Sequence, residues 1–245
     1  MSEYVEEFRE LFEAIKSKGF IRTNRKGPTG IGKTFEDLLQ KEEDNLPLPD
    51  FKDIEVKTKR TASNSMVTLF TKSPTGPRGA NGLLKNKYGY KENPEDLFNK
   101  LHTTLSATKF TTNKKSGHDF KIGINEDEGY IYVIVRDSKT LEIVDTSTRW
   151  TFKVLNKTLD NKLKYLCIVD ADERKKDGFT EFKYTKLNFI YDLSGQQMLQ
   201  ALKDGKLFVD LRIGTYSNGK THDHGTAFRM KVADIETYGN KQIFD

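Results

Sequence analysis

Apolar residues recur at helical spacing in several parts of the chain. The first helical face consists of Tyr4, Val5, Phe8, Leu11, Phe12 and Ile15, and Gly19 follows where this helix should end. A shorter helix is predicted to begin at Thr34, and another covers residues 196–202 before Gly205. A further helix is predicted from Asn93, because Asn-Pro-Glu-Asp places a cap, a proline and acids where helices begin. Its apolar face would consist of Leu97, Phe98, Leu101 and Leu105.

Between the helical parts, short segments show the alternation or the apolar runs that are typical of strands. These segments are residues 53–58, 66–71, 120–124, 130–135, 149–154, 165–169, 182–190, 207–213 and 227–232. The run SPTGPRGANG at residues 73–82 is rich in Gly and Pro and predicts a loop. The pattern therefore predicts a mixed α/β protein, with most of the helix in the first half and most of the strand in the second.

Composition adds a size and a charge to this picture. The chain has 245 residues, of which 35% are hydrophobic and 31% charged, so it can form one domain with two lobes or two small domains. Its formal net charge is +5. A modest positive charge serves solubility, but it also favours a polyanionic partner, because Lys and Arg that neutralise phosphates release counterions.

Cysteine content and the first residues bear on the cellular compartment. Cys167 is the only cysteine and lies in an apolar run, so we expect a small core residue, no disulfide and no thiolate metal cluster. The first residues, MSEYVEEFRELF, carry acids where a signal peptide needs basic and then apolar residues. No apolar run approaches the length of a membrane span. We therefore expect a soluble protein of the cytoplasm.

Residues 27–34 read GPTGIGKT, which matches the spacing of a phosphate-binding loop. Such a loop turns backbone N–H groups and one lysine, here Lys33, toward phosphates, and it follows a buried parallel strand. Only Phe20 and Ile21 of the preceding residues suit that strand, and the alternating βαβ pattern is missing. A P-loop nucleotide hydrolase therefore remains the weaker alternative, although residues 166–170 could supply its second acidic motif.

The segment 49–57, Pro-Asp-Phe-Lys-Asp-Ile-Glu-Val-Lys, carries a second candidate chemistry. Strand side chains alternate between faces, so Ile54 and Val56 can anchor a core while Glu55 and Lys57 lie on the opposite face. Asp50 arrives from the preceding loop. Two carboxylates favour Mg²⁺, and an adjacent lysine can orient a water and offset charge on a phosphate. These groups suit phosphodiester hydrolysis, although an exposed strand with alternating charges has the same pattern.

The late segment 207–229 carries residue types that read bases. In its strand Asp210 and Arg212 share one face, and an aspartate can accept from cytosine N4 while an arginine donates to guanine. Two alternatives stay open: the pair can be a surface ion pair, and His222 with His224 can be half of a metal site. A zinc cluster is disfavoured, because the chain has only 4 histidines and 1 cysteine.

Several runs occur in an order that resembles one known family. They are TGIGKTFEDLL at 29–39, PD at 49–50, DIEVKT at 53–58, VTLFTKSP at 67–74, PRGAN at 77–81, DLRIG at 210–214 and KTHDHGTAFR at 220–229. This order resembles the MvaI/BcnI family of restriction endonucleases, in the MutH-like branch of the PD-(D/E)xK nucleases. The resemblance covers nearly the whole chain and is weakest over residues 109–194.

The resemblance assigns roles residue by residue. Catalysis would belong to Asp50, Glu55, Lys57 and, from the helix before them, Glu36; Asp50 and Glu55 would hold the metal. The residues that contact DNA would be Asp210, Arg212, His222, Asp223, His224 and Arg229, together with Tyr216. The phosphate-loop match would then be the turn into the helix that bears Glu36.

The resemblance also implies a fold and an activity. The fold would be a PD-(D/E)xK core with a mixed central β-sheet flanked by helices at residues 1–155, followed by a β-rich DNA-recognition lobe at residues 156–245. The activity would be that of a type II restriction endonuclease that hydrolyses duplex DNA, one strand at a time, at a short G·C-rich pseudopalindrome of the CC-N-GG type, such as CCWGG. It would use Mg²⁺, with Mn²⁺ as a substitute and Ca²⁺ supporting binding without cleavage.

The implied partners are double-stranded DNA and a cognate DNA methyltransferase in the same host, and the enzyme would act as a monomer without a nucleotide cofactor or a membrane. Two alternatives stay open beside the P-loop hydrolase. One is a MutH-like nicking endonuclease of mismatch repair, and the other is a DNA-binding module without catalysis. The intact set of Asp50, Glu55 and Lys57 argues against the second.

Overall fold

The computed structural model describes residues 3–39, 49–223 and 226–244. Its helices are α1 (Glu3–Lys16), α2 (Gly30–Leu38), α3 (Ala80–Tyr88), α4 (Phe152–Lys162), α5 (Gly195–Lys203) and α6 (Val232–Ile235). Its strands are β1 (Ile21–Arg22), β2 (Ile54–Arg60), β3 (Met66–Thr71), β4 (Leu101–Leu105), β5 (Thr111–Asn113), β6 (His118–Asn125), β7 (Tyr130–Asp137), β8 (Ile143–Asp145), β9 (Arg149–Thr151), β10 (Tyr165–Lys176), β11 (Phe179–Tyr191), β12 (Leu207–Thr215), β13 (Thr221–Asp223), β14 (Ala227–Lys231) and β15 (Asn240–Phe244).

The chain forms two compact units. The first consists of Met1–Val67, Leu159–Leu193 and Lys231–Asp245, and the second of Thr68–Thr158 and Ser194–Met230. The division differs from the expected boundary at residue 155, because each unit takes segments from both sides of it. The physical reason is strand pairing: β2 hydrogen-bonds to β10, which lies far along the chain, and β4 hydrogen-bonds to β12.

The first unit is built on one mixed sheet with the strand order β1-β11-β10-β2, and β15 also pairs with β11. β10 and β11 form a long antiparallel pair, whereas β2 runs parallel to β10. Helices α1 and α2 supply Phe8, Phe12 and Phe35 to the core cluster against this sheet, and all three side chains are fully buried. Burying one such side chain stabilises the fold by about 1.5–3 kcal/mol, so this core fixes where β2 lies.

The second unit contains two sheets. The first has the order β13-β12-β14-β3, with β4 also paired to β12, and the second has the order β5-β6-β7-β8, with β9 also paired to β7. Alternate residues of β12 (Leu207, Val209, Leu211 and Ile213) are buried, as the period of two predicted. Asp210 is also largely buried, which the alternation did not predict.

Two of the predicted helices are confirmed by local signals. In α1, Val5, Phe8, Phe12 and Ile15 are buried, and Gly19 has the positive φ of 69° that suits a helix end. In α5, the Ser194 hydroxyl accepts from the backbone N–H of Gln197, whose side chain accepts in turn from the Ser194 N–H. Cys167 is buried as expected, and burial raises the pKa of its thiol well above the usual value.

The helix predicted from Asn93 is wrong. The Asp96 carboxylate accepts from the backbone N–H groups of Glu92 and Asn93, which closes a turn, and Leu97 is 83% exposed. Residues 101–105 form β4 instead. Their pairing with β12 outweighs the local helix signal, because it buries Leu101 and Leu105 and satisfies the backbone groups of the strand.

Two further segments differ from the sequence pattern. Residues 149–154 were expected to be a strand, but the strand β9 ends at Thr151 and α4 begins at Phe152. The expected loop over residues 73–82 ends earlier, because α3 begins at Ala80 after Gly79, whose φ is +73°. The helix buries Leu84 and Tyr88, a spacing that the Gly- and Pro-rich run before it obscured.

Candidate active site

The residues Asp50, Glu55 and Lys57 lie together in the first unit, at and before the outer strand β2. Ile54 and Val56 point into the core, as the alternation predicted, which leaves Glu55 and Lys57 on the other face of the strand. The Asp50 carboxylate Oδ2 accepts a hydrogen bond from the backbone N–H of Val56 at 2.9 Å. This bond ties the loop that carries Asp50 to the strand that carries the other two residues.

Glu55 and Lys57 form an ion pair along the strand. The Lys57 Nζ lies 2.5 Å from Glu55 Oε1, and the Glu55 side chain is 4% exposed whereas that of Lys57 is 25% exposed. The lysine therefore reaches solvent from a buried carboxylate. Burial of the carboxylate strengthens the ion pair, because little water screens the two charges. The pair fixes the ammonium close to the acidic residues.

The second oxygen of Glu55 is a candidate cation ligand. Within the described part of the chain, Glu55 Oε2 is buried and has no hydrogen-bond partner. Leaving a buried carboxylate oxygen without a partner is costly, and a divalent cation would remove that cost. The residues present therefore fit a hard cation held by the carboxylates of Asp50 and Glu55, the oxygen ligands that Mg²⁺ prefers.

Glu36 lies on α2, whose N-terminal half packs over β2. A Cβ atom added to Gly32 would lie 3.5 Å from Thr58 Oγ1 and 3.9 Å from Glu36 Oε1, so the Glu36 carboxylate and the Thr58 hydroxyl both lie close to Gly32. The Glu36 carboxylate also lies near Tyr184: burial raises the pKa of this phenol, and the negative charges of Asp37 and Glu36 raise it further. Among the residues that the structure describes, no group of three or more His, Cys, Asp or Glu side chains could hold a metal, so Glu36 does not complete a three-carboxylate set.

In the second unit, Asp210 lies between two arginines. Its Oδ2 accepts from Arg229 Nη1 at 3.0 Å and lies 3.6 Å from Arg212 Nε, while its Oδ1 accepts from Thr104 Oγ1 at 2.8 Å. The side chain of Asp210 is 10% exposed, against 39% for Arg212 and 28% for Arg229. The carboxylate therefore anchors the two guanidinium groups from the buried side, and the more exposed arginines carry the accessible hydrogen-bond donors.

Tyr216 and His222 form a second pair in this unit. Their rings stack with centroids 4.1 Å apart and an interplanar angle of 30°. They lie on either side of the turn between β12 and β13, in which the Tyr216 N–H donates to the Lys220 carbonyl at 2.9 Å. Tyr216 is 49% exposed. Asp223 ends β13, and His224 lies outside the described residues.

Two residues of these clusters escaped the sequence analysis. Thr104, which supports Asp210, was expected on a helix, and only its pairing with Asp210 across β4 and β12 brings it there. Lys85 is buried in α3 and donates to Thr215 and Thr221. The sequence predicted a loop over residues 73–82 and no helix after it, so Lys85 was not recognised. The signal in the sequence was a lysine among apolar residues at helical spacing.

Comparison with known proteins connects both clusters to one family. The family model of the MvaI/BcnI restriction endonuclease family matches residues 9–238, which include Asp50, Glu55 and the arginines of the second unit. The chain belongs to the MvaI/BcnI restriction endonuclease family. Because a match of this length spans both units, the earlier resemblance is confirmed.

Two solved structures of an MvaI/BcnI-family enzyme are similar to the chain. The complex of the restriction endonuclease MvaI with its cognate DNA substrate is 44% identical, has a TM-score of 0.92 and is covered over 99% of each chain. MvaI in the absence of DNA is 42% identical, with a TM-score of 0.67 and coverage of 100% of this chain and 99% of that one. No curated protein matches the sequence. The mixed α/β nuclease fold is confirmed, and the chain is a DNA-binding, site-specific nuclease of the restriction type.

The phosphate-loop match has a structural role in this MvaI/BcnI-family enzyme. A phosphate loop follows a buried parallel strand. The strand before this match, β1, instead spans two residues and pairs antiparallel with β11 at the edge of the sheet. Lys33 lies within α2 and pairs with Asp37 at 2.9 Å.

Within the described residues, no helix is both long and apolar enough to cross a membrane.

Proposed function

We propose that this MvaI/BcnI-family endonuclease is a Mg²⁺-dependent type II enzyme that cuts duplex DNA at a short G·C-rich pseudopalindrome of the CC-N-GG type, one strand at a time. The observation that carries the metal dependence is the buried, unpartnered Glu55 Oε2 beside the tethered Asp50. The family match and the similarity to MvaI with its cognate DNA support the substrate class.

Asp50, Glu55 and Lys57 have different roles in the proposed reaction. Asp50 and Glu55 would hold Mg²⁺, which when bound supplies positive charge to the phosphate and lowers the pKa of a water. Lys57, held by Glu55 Oε1, offers its ammonium to the attacking water and to the charge that develops on the phosphate oxygens. Glu36, whose carboxylate lies near Gly32 of α2, orients the water shell in this proposal.

Recognition is proposed for the second unit. Arg212 and Arg229 would each donate to a guanine, and Asp210 would orient both and complete the reading of a G·C pair. Tyr216 and His222 would contact DNA as one stacked pair. Asp223 and His224 follow in the sequence and are proposed as base contacts from the family resemblance alone.

Several further properties of the enzyme are part of this proposal. It acts as a monomer in the cytoplasm, and a cognate DNA methyltransferase protects the host DNA. Mn²⁺ replaces Mg²⁺, because both accept oxygen ligands in a similar geometry, and Ca²⁺ supports binding without cleavage. No nucleotide is required, since the lysine of the phosphate-loop match is paired within its helix.

Plasmid cleavage tests the proposed function directly. The purified protein is incubated with a plasmid in Mg²⁺, with and without EDTA and ATP, and the fragment ends are sequenced. We expect discrete double-strand fragments that need Mg²⁺, a transient nicked intermediate, and one site of the CC-N-GG type at all ends. Nicks confined to hemimethylated sites would instead support a MutH-like nicking enzyme, and cleavage that requires ATP would contradict the assignment.

A further inference from the structure

Lys85 is buried, and among the described residues its hydrogen-bond partners are two hydroxyls and no carboxylate. Its exposure is 3%, and its Nζ donates to Thr215 Oγ1 at 2.5 Å and to Thr221 Oγ1 at 3.4 Å. The Thr215 hydroxyl donates a hydrogen bond to the Asn99 carbonyl at 3.1 Å, so the lone pairs of its oxygen are available to accept one from the lysine. Two neutral hydroxyls thus hold one ammonium inside the second unit.

A buried ammonium costs stability that a purely structural side chain would not cost. Burial disfavours the charged form and lowers the pKa of Lys85 from its usual value. A methionine of similar length would fill the same space without that desolvation cost. What methionine lacks is the pair of hydrogen bonds to Thr215 and Thr221. The ammonium therefore acts through those two bonds.

The two threonines are the closing pair of one hairpin. Thr215 and Thr221 face each other in the register of β12 and β13, and each directly precedes one member of the stacked pair Tyr216 and His222. Helix α3 also approaches β13 closely, since a Cβ atom on Gly82 would lie 3.1 Å from Thr221 Oγ1. One side chain of α3 thus joins both strands at the base of the turn.

We propose that Lys85 is a positioning residue for DNA recognition, which clamps the β12–β13 hairpin so that Tyr216 and His222 keep one fixed arrangement. The inference rests on the proposed role of these two residues in DNA contact. The clamp needs no contact between Lys85 and DNA. The clamp keeps the hairpin ordered before DNA binds. Without the clamp, the hairpin must be ordered on binding, and that cost lowers the affinity for the cognate duplex.

The experiment compares Lys85→Met with Lys87→Met, a matched change on the same helix at a side chain that is 57% exposed. Binding of each variant to a cognate and a scrambled duplex is measured in Ca²⁺, well below the unfolding temperature. We expect Lys85→Met to lose about tenfold or more of its cognate affinity, as is typical when hydrogen bonds to a charged group are lost, and to keep its scrambled-duplex affinity. Lys87→Met should keep its cognate affinity.

Hydrogen exchange gives a readout that does not depend on activity. The amides of residues 215–222 should exchange faster in Lys85→Met than in the wild type or Lys87→Met, because the hairpin opens more often. Unchanged exchange would overturn the clamp. Faster exchange with an unchanged ratio of cognate to scrambled affinity would keep the clamp and refute its role in recognition, whereas a wild type that does not discriminate between duplexes would refute the proposed function itself.

A second set of variants covers a failure of Lys85→Met to fold. Thr215→Val and Thr221→Val preserve shape and each remove one acceptor for Lys85 while the lysine stays in place; Thr215→Val also removes the donor to the Asn99 carbonyl. If the clamp is correct, each should speed exchange in the hairpin and reduce cognate affinity, Thr215→Val more than Thr221→Val, since its bond is the shorter. Two valine variants with wild-type exchange and affinity would overturn the proposal.

Discussion

Replacing Asp210 tests whether a buried carboxylate organises the arginines of the second unit. Asp210 accepts one hydrogen bond from a neutral hydroxyl, that of Thr104, and one from the charged Arg229. Asp210→Ala removes both acceptors. Asp210→Asn keeps the shape, with its oxygen toward Arg229 and its NH₂ toward Thr104, whose hydroxyl can turn to accept.

The two changes should differ in magnitude. A neutral hydrogen bond contributes about 1 kcal/mol and one to a charged group about 1.5–3 kcal/mol, so Asp210→Ala should lower the free energy of unfolding by about 2.5–4 kcal/mol. The lower end applies, because Arg229 is 28% exposed and water can solvate part of its charge. Asp210→Asn loses the charge assistance to Arg229, which is about half of that bond, or about 1 kcal/mol, and a small attraction to Arg212, which is 39% exposed and screened by water.

Urea unfolding of the two variants measures these changes, with Asp127→Asn as the control. Asp127 is exposed in the turn between β6 and β7, so its variant should stay within about 0.5 kcal/mol of the wild type. Binding in Ca²⁺ supplies the functional arm. Because both changes remove the negative charge that Arg212 and Arg229 share, both Asp210 variants should bind a cognate duplex more weakly and a scrambled duplex equally well.

An Asp210→Asn variant as destabilised as Asp210→Ala would contradict this role of Asp210, since the amide would then not replace the carboxylate in either bond. So would a pair of variants that change the free energy of unfolding by no more than the control does. A third outcome is informative: a stable Asp210→Asn variant with altered preference at a single base pair would show that the carboxylate reads that base directly.

Three further predictions concern catalysis and base reading. Glu55→Gln should abolish cleavage of a plasmid in Mg²⁺ but preserve binding in Ca²⁺, whereas Lys33→Ala, the control, should retain most activity; full activity in Glu55→Gln would refute the metal site. Glu36→Gln should slow single-turnover cleavage strongly without lowering the thermal midpoint, and a wild-type rate would leave Glu36 with a structural role. Arg212→Ala should cost about 1–3 kcal/mol in binding a cognate duplex, and an equal loss on scrambled DNA with a shallower salt dependence would indicate phosphate contact instead.

Local pattern was sufficient for the strand that carries the catalytic candidates. In β2 the alternation of Ile54 and Val56 with Glu55 and Lys57 defines two faces whatever the strand pairs with, because side chains alternate in any extended chain. The apolar face of α1 and the helix over residues 196–202, which corresponds to α5, are equally local. These features were predicted from the sequence, and the structure confirms them.

Tertiary pairing decided what local pattern could not. The strong helix signal at Asn93 gave way because β4 gains more from its pairing with β12 than a short helix gains from its cap. The same pairing brings Thr104 to Asp210, and so turns an apparent surface pair into a buried anchor.

The sequence by itself determined the identity of the chemical groups: Asp50 before β2, Glu55 and Lys57 in β2, the arginines of β12 and β14, and an order of motifs specific enough to indicate the family. Only the tertiary structure decided which groups are buried and which of them meet. One oxygen of Glu55 has no hydrogen-bond partner among the described residues, and Lys85 reaches both strands of a hairpin. The physical reason is that burial and hydrogen-bond partners depend on contacts between residues far apart in the chain, which no local period encodes.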